Sequence, residues 1–213
     1  MNTDDLVKLL ATGAGPADTG APARRYAAAT TLGVAGAAAL MLALLGLNPE
    51  LARYTSLPMF WVKLAFPALL VVAGLAAASR LARPGASLAR VPGALAAPAI
   101  AIWVLAGIAL VDAAPGERVR LLLGSTWTVC PFNIAMLSIP AFVAILWAMK
   151  GLAPTRLRLA GAGAGLLAGA LGALVYTLHC PELAAPFLGV WYVLGMLIPA
   201  VLGAIVGPRV LRW

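Results

Sequence analysis

Six largely apolar runs, each about 20 residues long, follow one another along this chain, and each can cross roughly 30 Å of hydrocarbon as a helix rising 1.5 Å per residue. They cover residues 27–47, 59–79, 93–111, 131–149, 157–178 and 187–206. Polar or proline-containing turns at 48–50, 80–90, 112–128, 150–156 and 179–186 separate them. The fold class that follows is all-α, a polytopic bundle of six transmembrane helices.

Composition agrees. Of 213 residues, 63% are hydrophobic and only 10% charged, whereas a soluble domain needs about 25% charged residues to keep its surface wet. The net charge of +8 does not mark a nucleic-acid binder, because the basic residues sit in short groups between apolar runs rather than on one folded face. No direct nucleic-acid partner is expected, and the bilayer is the first partner. The first apolar run starts after about 25 polar or small residues and is too long for a signal-peptide core, so it is expected to stay as a span.

Orientation follows from where Lys and Arg fall. Lys8, Arg24, Arg25, Arg80, Arg83, Arg90, Lys150, Arg156, Arg158, Arg209 and Arg212 lie on the side of the N-terminus, against Arg53, Lys63, Arg118 and Arg120 on the other. The positive-inside rule then puts both termini in the cytoplasm of a multi-pass inner-membrane protein. The chain divides into a cytoplasmic tail (1–26), a membrane domain (27–206) and a second cytoplasmic tail (207–213). Lys63, just inside the second run, is expected to snorkel to the outer interface.

Gly161, Gly165 and Gly169 form two GxxxG steps on one face of the fifth run, a surface for close helix packing within the monomer. Pro67, Pro98, Pro140 and Pro199 should kink their helices. Trp61, Trp103, Trp127, Trp191 and Trp213 fall mostly near span ends, as interfacial anchors do. The oligomeric state is not legible.

No Asp, Glu or His lies in the middle of a run, which argues against a pump or a proton-coupled transporter. There is no selectivity-filter pattern, CxxC dithiol or nucleophile motif. The expectation is a non-enzyme without a cofactor.

The only thiols are Cys130 and Cys180, each followed by proline. In this topology both face outside, where the fourth run leaves from Cys130 and the fifth returns to Cys180. Packed helix axes lie about 8–10 Å apart, and modest loop closure brings Cα atoms within the roughly 7 Å a disulfide needs. Pro131 suits a first helical position, so Cys130 is expected at the N-cap, where the helix dipole favours a thiolate. Cys180, with His179 beside it, is expected to precede a similar short turn at Pro181-Glu182. Two readings stand side by side, a structural staple and a sensor. A transient metal site of Cys130 and Cys180 with His179 fits less well, since zinc-type sites need three or four ligands.

Before the first run, Thr3 can cap a short helix with Asp4 and Asp5 in its first turn. Leu6, Leu9 and Leu10 then share one face. The Gly-, Ala- and Pro-rich stretch 13–22 reads as a flexible tether. A leucine-striped helix on a tether suits the groove of a cytoplasmic partner. The alternative is a helix lying on the membrane, though Asp4 and Asp5 would be repelled by anionic lipid.

Trp127-Thr128-Val129-Cys130-Pro131, the run 147–155 (WAMKGLAPT), His179-Cys180-Pro181-Glu182, Trp191-Tyr192 and the run 195–199 (GMLIP) resemble the NrsF-type membrane anti-sigma factors, as does the opening Thr3-Asp4-Asp5-Leu6. The resemblance implies a membrane-bound negative regulator that sequesters an extracytoplasmic-function (ECF) sigma factor. It also implies release on oxidative or heavy-metal stress sensed by two periplasm-facing cysteines, matched here by Cys130 and Cys180. The N-terminal segment is then the candidate for holding the sigma factor. Two other readings remain, a permease-like protein built on Gly- and Pro-broken helices and a structural membrane protein with an ordinary disulfide.

Overall fold

The structure, a computed structural model, describes residues 2–13, 20–83 and 85–212. Residues 14–19 of the expected tether, and Trp213, lie outside the described residues. Among the described residues all regular structure is helical: α1 (Thr3–Gly13), α2 (Ala21–Leu44), α3 (Leu51–Tyr54), α4 (Pro58–Leu81), α5 (Val91–Asp112), α6 (Pro115–Leu123), α7 (Cys130–Lys150), α8 (Leu157–Tyr176) and α9 (Ala185–Val210). Six of them, α2, α4, α5, α7, α8 and α9, are long and apolar enough to cross a membrane.

Proline sets most of the starts. All six spans except α8 carry it in the first two positions, where its missing N–H costs nothing and its fixed φ is already helical. The first span begins at Ala21, earlier than hydropathy suggests, so Arg24 and Arg25 are part of it. The loop at 112–128 holds an unforeseen helix, α6. Pro115 opens it, Glu117 stands in its first turn, and Arg120 pairs with Glu117 at 2.8 Å.

The bundle is organised around α8. Its apolar window is 78% buried, against 17% for α5, so α8 is the hub and α5 meets lipid along most of its length. Small residues make this possible. A Cβ at Gly161 would collide with the Gly203 carbonyl, one at Gly165 with the Pro199 carbonyl, and one at Gly169 with the backbone of Met196. The three glycines thus let α8 and α9 touch backbone to backbone, where dispersion contact holds helices together in lipid. On another face of α8, Gly172 lies against Ile134 and Ser138 of α7.

The connections sort the chain into two ends. One carries Arg80, Arg83, Arg90, Lys150, Arg156, Arg158, Arg209 and Arg212, together with the tail. The other gathers the loops at 45–57, 113–129 and 177–184, and both cysteines. Of the two buried apolar clusters, the one nearer this second end contains Cys130 and Cys180.

Candidate functional site

The cysteine end is built from three chain breaks. Helix α8 stops after Tyr176, and a turn closed by the Cys180 amide on the Tyr176 carbonyl (3.0 Å) carries the chain to Cys180. Pro181 then prevents continuation, and residues 181–184 run without helix until α9 starts at Ala185. The short turn expected to begin at Pro181-Glu182 does not form. Cys130 is the first residue of α7, with Val129 at the N-cap rather than Cys130 itself. Its amide is already used, bonding the Thr126 carbonyl at 2.9 Å. The third break is a π-helical stretch, Leu188–Tyr192, inside α9. Such bulges commonly re-aim side chains at functional sites, and this one turns Tyr192 inward.

These breaks bring the two thiols together. Both cysteines are free and fully buried. The two thiols adjoin each other within one buried cluster. The two thiols are alike in standing before a proline, and their surroundings separate them. Cys180 lies outside the spans, and the Cys130 hydrogen bond, then the Lys63 charge, the Glu182 backbone amide and the Tyr192 hydroxyl, outweigh its burial. Together they hold its thiol below the ordinary thiol range.

Lys63 is the residue that sequence reasoning misplaces. It does not snorkel; it is completely buried on α4. Its Nζ donates to the Cys180 carbonyl oxygen at 2.5 Å, reaches the Cys180 sulfur, and sits 5.8 Å from the centre of the Tyr192 ring. An unpaired buried ammonium costs several kcal/mol as an order of magnitude. Here the end of α8 offers it a carbonyl, a sulfur and the negative pole of a helix. The only sign in the sequence is a lysine more than a turn inside an apolar run.

Aromatic and polar groups close the site. Tyr192 is fully buried beside Cys180, and its hydroxyl makes no hydrogen bond among the described residues. Tyr176 packs beside it with ring centroids 5.9 Å apart and accepts a 3.4 Å hydrogen bond from Asn133. Glu182 is fixed from outside by the Ser125 amide (2.6 Å) and hydroxyl (2.7 Å). Gly124, at φ +57°, makes room for that carboxylate, which a Cβ would strike. Trp191 donates to the Leu122 carbonyl and stacks at a tilt on Trp127, 5.3 Å between centroids.

His179 turns away from the sulfurs. Its Nδ1 lies 2.9 Å from the Gly46 carbonyl and its ring packs on Tyr176. Among the described residues no three His, Cys, Asp or Glu side chains are placed to hold a metal ion. The tail residues of α1 precede the N-terminal end of α2 in the chain. Helix α1 starts as a turn closed by the Leu6 amide on the Asn2 carbonyl, so Thr3 falls just inside it. Asp4 and Asp5 occupy its first turn. Leu6, Leu9 and Leu10 are exposed, at 41%, 66% and 65%, so the stripe is uncovered by the rest of the described chain.

Comparison with known proteins gives the same picture over the whole length. The family model described as "Negative regulator of sigma F" (NrsF) matches residues 10–213. The chain is 54% identical over 213 residues to the "Probable anti-sigma-F factor NrsF" of Azospira oryzae, covering all of both chains. It is 41% identical over 217 residues to the "Anti-sigma-F factor NrsF" of Caulobacter vibrioides, again covering both fully. No solved structure matches. A match of this extent to both the family model and full-length relatives means that the chain belongs to the NrsF family, the negative regulators of sigma F.

Proposed function

We propose that this chain is a membrane-bound anti-sigma factor that holds an ECF sigma factor at the bacterial inner membrane. The observation that carries the reading is the full-length likeness to relatives named anti-sigma-F factors. Helix α1 supplies the contact: Asp4 and Asp5 lead it, and Leu6, Leu9 and Leu10 enter an apolar groove on the partner. Both termini are cytoplasmic, which the crowding of Arg and Lys at that end supports.

The thiol pair is the sensor. It sits at the periplasmic end, and oxidative or heavy-metal stress acts on Cys130 and Cys180. In the oxidative case the two thiols give up two protons and two electrons to an external oxidant as the sulfur–sulfur bond forms. Because Cys130 begins α7 and Cys180 follows α8, any change in their separation repacks the hub of the bundle. A coupling of about 3 kcal/mol is enough for a hundredfold release of the sigma factor. The glycines and prolines that suggest a permease are used here to pack α8 against α9.

Sedimentation of membranes from cells that co-express the chain with its sigma factor tests the reading. The sigma factor is expected in the membrane pellet with the full chain and in the supernatant when residues 2–12 are deleted. Equal retention by the deletion rules out the α1 contact, and no retention by the full chain rules out the function.

A further inference from the structure

We propose that Lys63 makes Cys180, and not Cys130, the reactive thiolate of the pair. The inference deepens the sensor reading and rests on it. Three observations lead to it.

Lys63 is fully buried and turned toward the Cys180 loop although the interface lies only about a turn and a half away along α4. A lysine with that choice stays inside only where an anion or strong acceptors hold it. The groups that face Cys180 can be named element by element: Lys63 from α4, Cys130 from α7, Tyr176 from α8, Tyr192 from α9 and Glu182 from its own loop. Lys63 is the one cation among them. Glu182 already has its carboxylate engaged by Ser125, which leaves the Cys180 sulfur as the anion that Lys63 can neutralise.

The donors also converge. The Cys130 thiol and the Glu182 backbone N–H both adjoin the Cys180 sulfur. The Tyr192 hydroxyl, fully buried and without a hydrogen-bond partner among the described residues, lies beside them. A sulfur with a lysine and several donor groups beside it is placed to be a thiolate. Lys63 could instead serve only as a cap, satisfying the Cys180 carbonyl at the end of α8. A cap requires no second contact to the sulfur, and it predicts no change in how the thiol titrates.

Alkylation separates the two roles. The reduced full-length protein in lipid nanodiscs is treated with iodoacetamide from pH 5 to 9, and each cysteine is followed by peptide mass spectrometry. In this step the thiolate sulfur attacks the methylene carbon, the carbon–iodine bond breaks and iodide leaves. Cys180 is expected to react ahead of Cys130, with a midpoint below that of a free thiol. Lys63→Met raises that midpoint by at least one pH unit, which slows Cys180 about tenfold near neutrality, and Lys63→Arg keeps it low. Cys130 reacting first in the wild-type protein overturns the inference even if no variant folds. So does a Lys63→Met profile that changes in rate equally at every pH without moving its midpoint, the signature of a cap. The sensor reading stands or falls on a different measurement, sigma-factor release in cysteine variants. A normal release defect combined with an unmoved midpoint sinks the role of Lys63 alone.

Discussion

Lys63 and Cys180 lie 117 residues apart in the chain and meet in the interior, where the lysine Nζ donates to the cysteine carbonyl oxygen. The bond ties the second span to the segment that follows the hub helix, which ends at Tyr176. It also places the lysine Nζ beside one cysteine of a pair that is otherwise symmetric in sequence, each being a cysteine before a proline. The consequences of this arrangement and of the exposed tail helix can be measured.

The leucine stripe is expected to matter for binding and not for folding. Leu6, Leu9 and Leu10 are exposed, so the triple alanine variant keeps the wild-type thermal midpoint. Burying even one leucine against a partner contributes about 1.5–3 kcal/mol, so sigma-factor affinity drops at least about tenfold. Fluorescence anisotropy with labelled sigma factor reads the loss. Undiminished affinity sends the contact elsewhere.

Cys130→Ser and Cys180→Ser each remove one half of the pair. Retention of the sigma factor in unstressed cells is expected to stay normal, while release on exposure to an oxidant disappears. A transcriptional reporter of sigma-factor activity follows both. Normal induction in both variants makes the pair a structural feature only.

Stability of the reduced protein should depend on pH through Cys180. Its folded thiol is held below the ordinary range, whereas the unfolded thiol titrates near about 8.5. A depressed folded value means that the unfolded chain binds the proton more readily, so stability rises with pH between the two values. The contribution is complete above the unfolded value and is lost as pH falls through the folded one. The difference in thermal midpoint between wild type and Cys180→Ser, measured under reductant, should therefore widen from pH 5 to pH 9. A flat difference contradicts the assignment.

Gly165→Val tests the α8–α9 contact. A Cβ there meets the Pro199 carbonyl, and backbone cannot yield as a flexible side chain does. Overpacking of this kind costs about 1–3 kcal/mol, to be seen as a lower unfolding midpoint in detergent. Gly93, which has open space around a Cβ, is the control: Gly93→Ala is neutral or slightly stabilising.

Sidedness can be read with two engineered thiols in a Cys130→Ser, Cys180→Ser background. Ser56 and Ser87 are exposed at opposite ends of the bundle. Ser56→Cys is expected to react with a membrane-impermeant maleimide added to intact cells, and Ser87→Cys only after lysis. The reverse pattern inverts the topology. The native thiols are poor reporters for a bulky, impermeant maleimide because both are buried.

Much of this protein is a one-dimensional problem, and that part was legible in the residues. A segment in lipid must satisfy its own backbone hydrogen bonds and bury little charge, so the number of spans follows from hydropathy alone. The GxxxG steps at Gly161, Gly165 and Gly169 likewise announce a close helix contact, because only small residues permit one. That Cys130 and Cys180 stand at the same end of the bundle follows from their places at the start and after the end of two consecutive antiparallel helices. Residues 115–123 were harder, since a nine-residue polar helix is marginal by itself and depends on its surroundings.

What only the tertiary structure decided is where polar groups near the membrane boundary point. A lysine about a turn and a half inside a span can reach either the interface or the interior, and its sequence neighbours are equally apolar in both cases. The choice fell inward because the carbonyl and sulfur of Cys180, 117 residues away, stand there to receive it. Tyr192 became part of the site through a π-helical turn, and His179 left it for the Gly46 carbonyl. Each outcome depends on which helix lies alongside. Hydropathy along a chain reports how deep a residue sits and carries no information about its neighbours across the bundle.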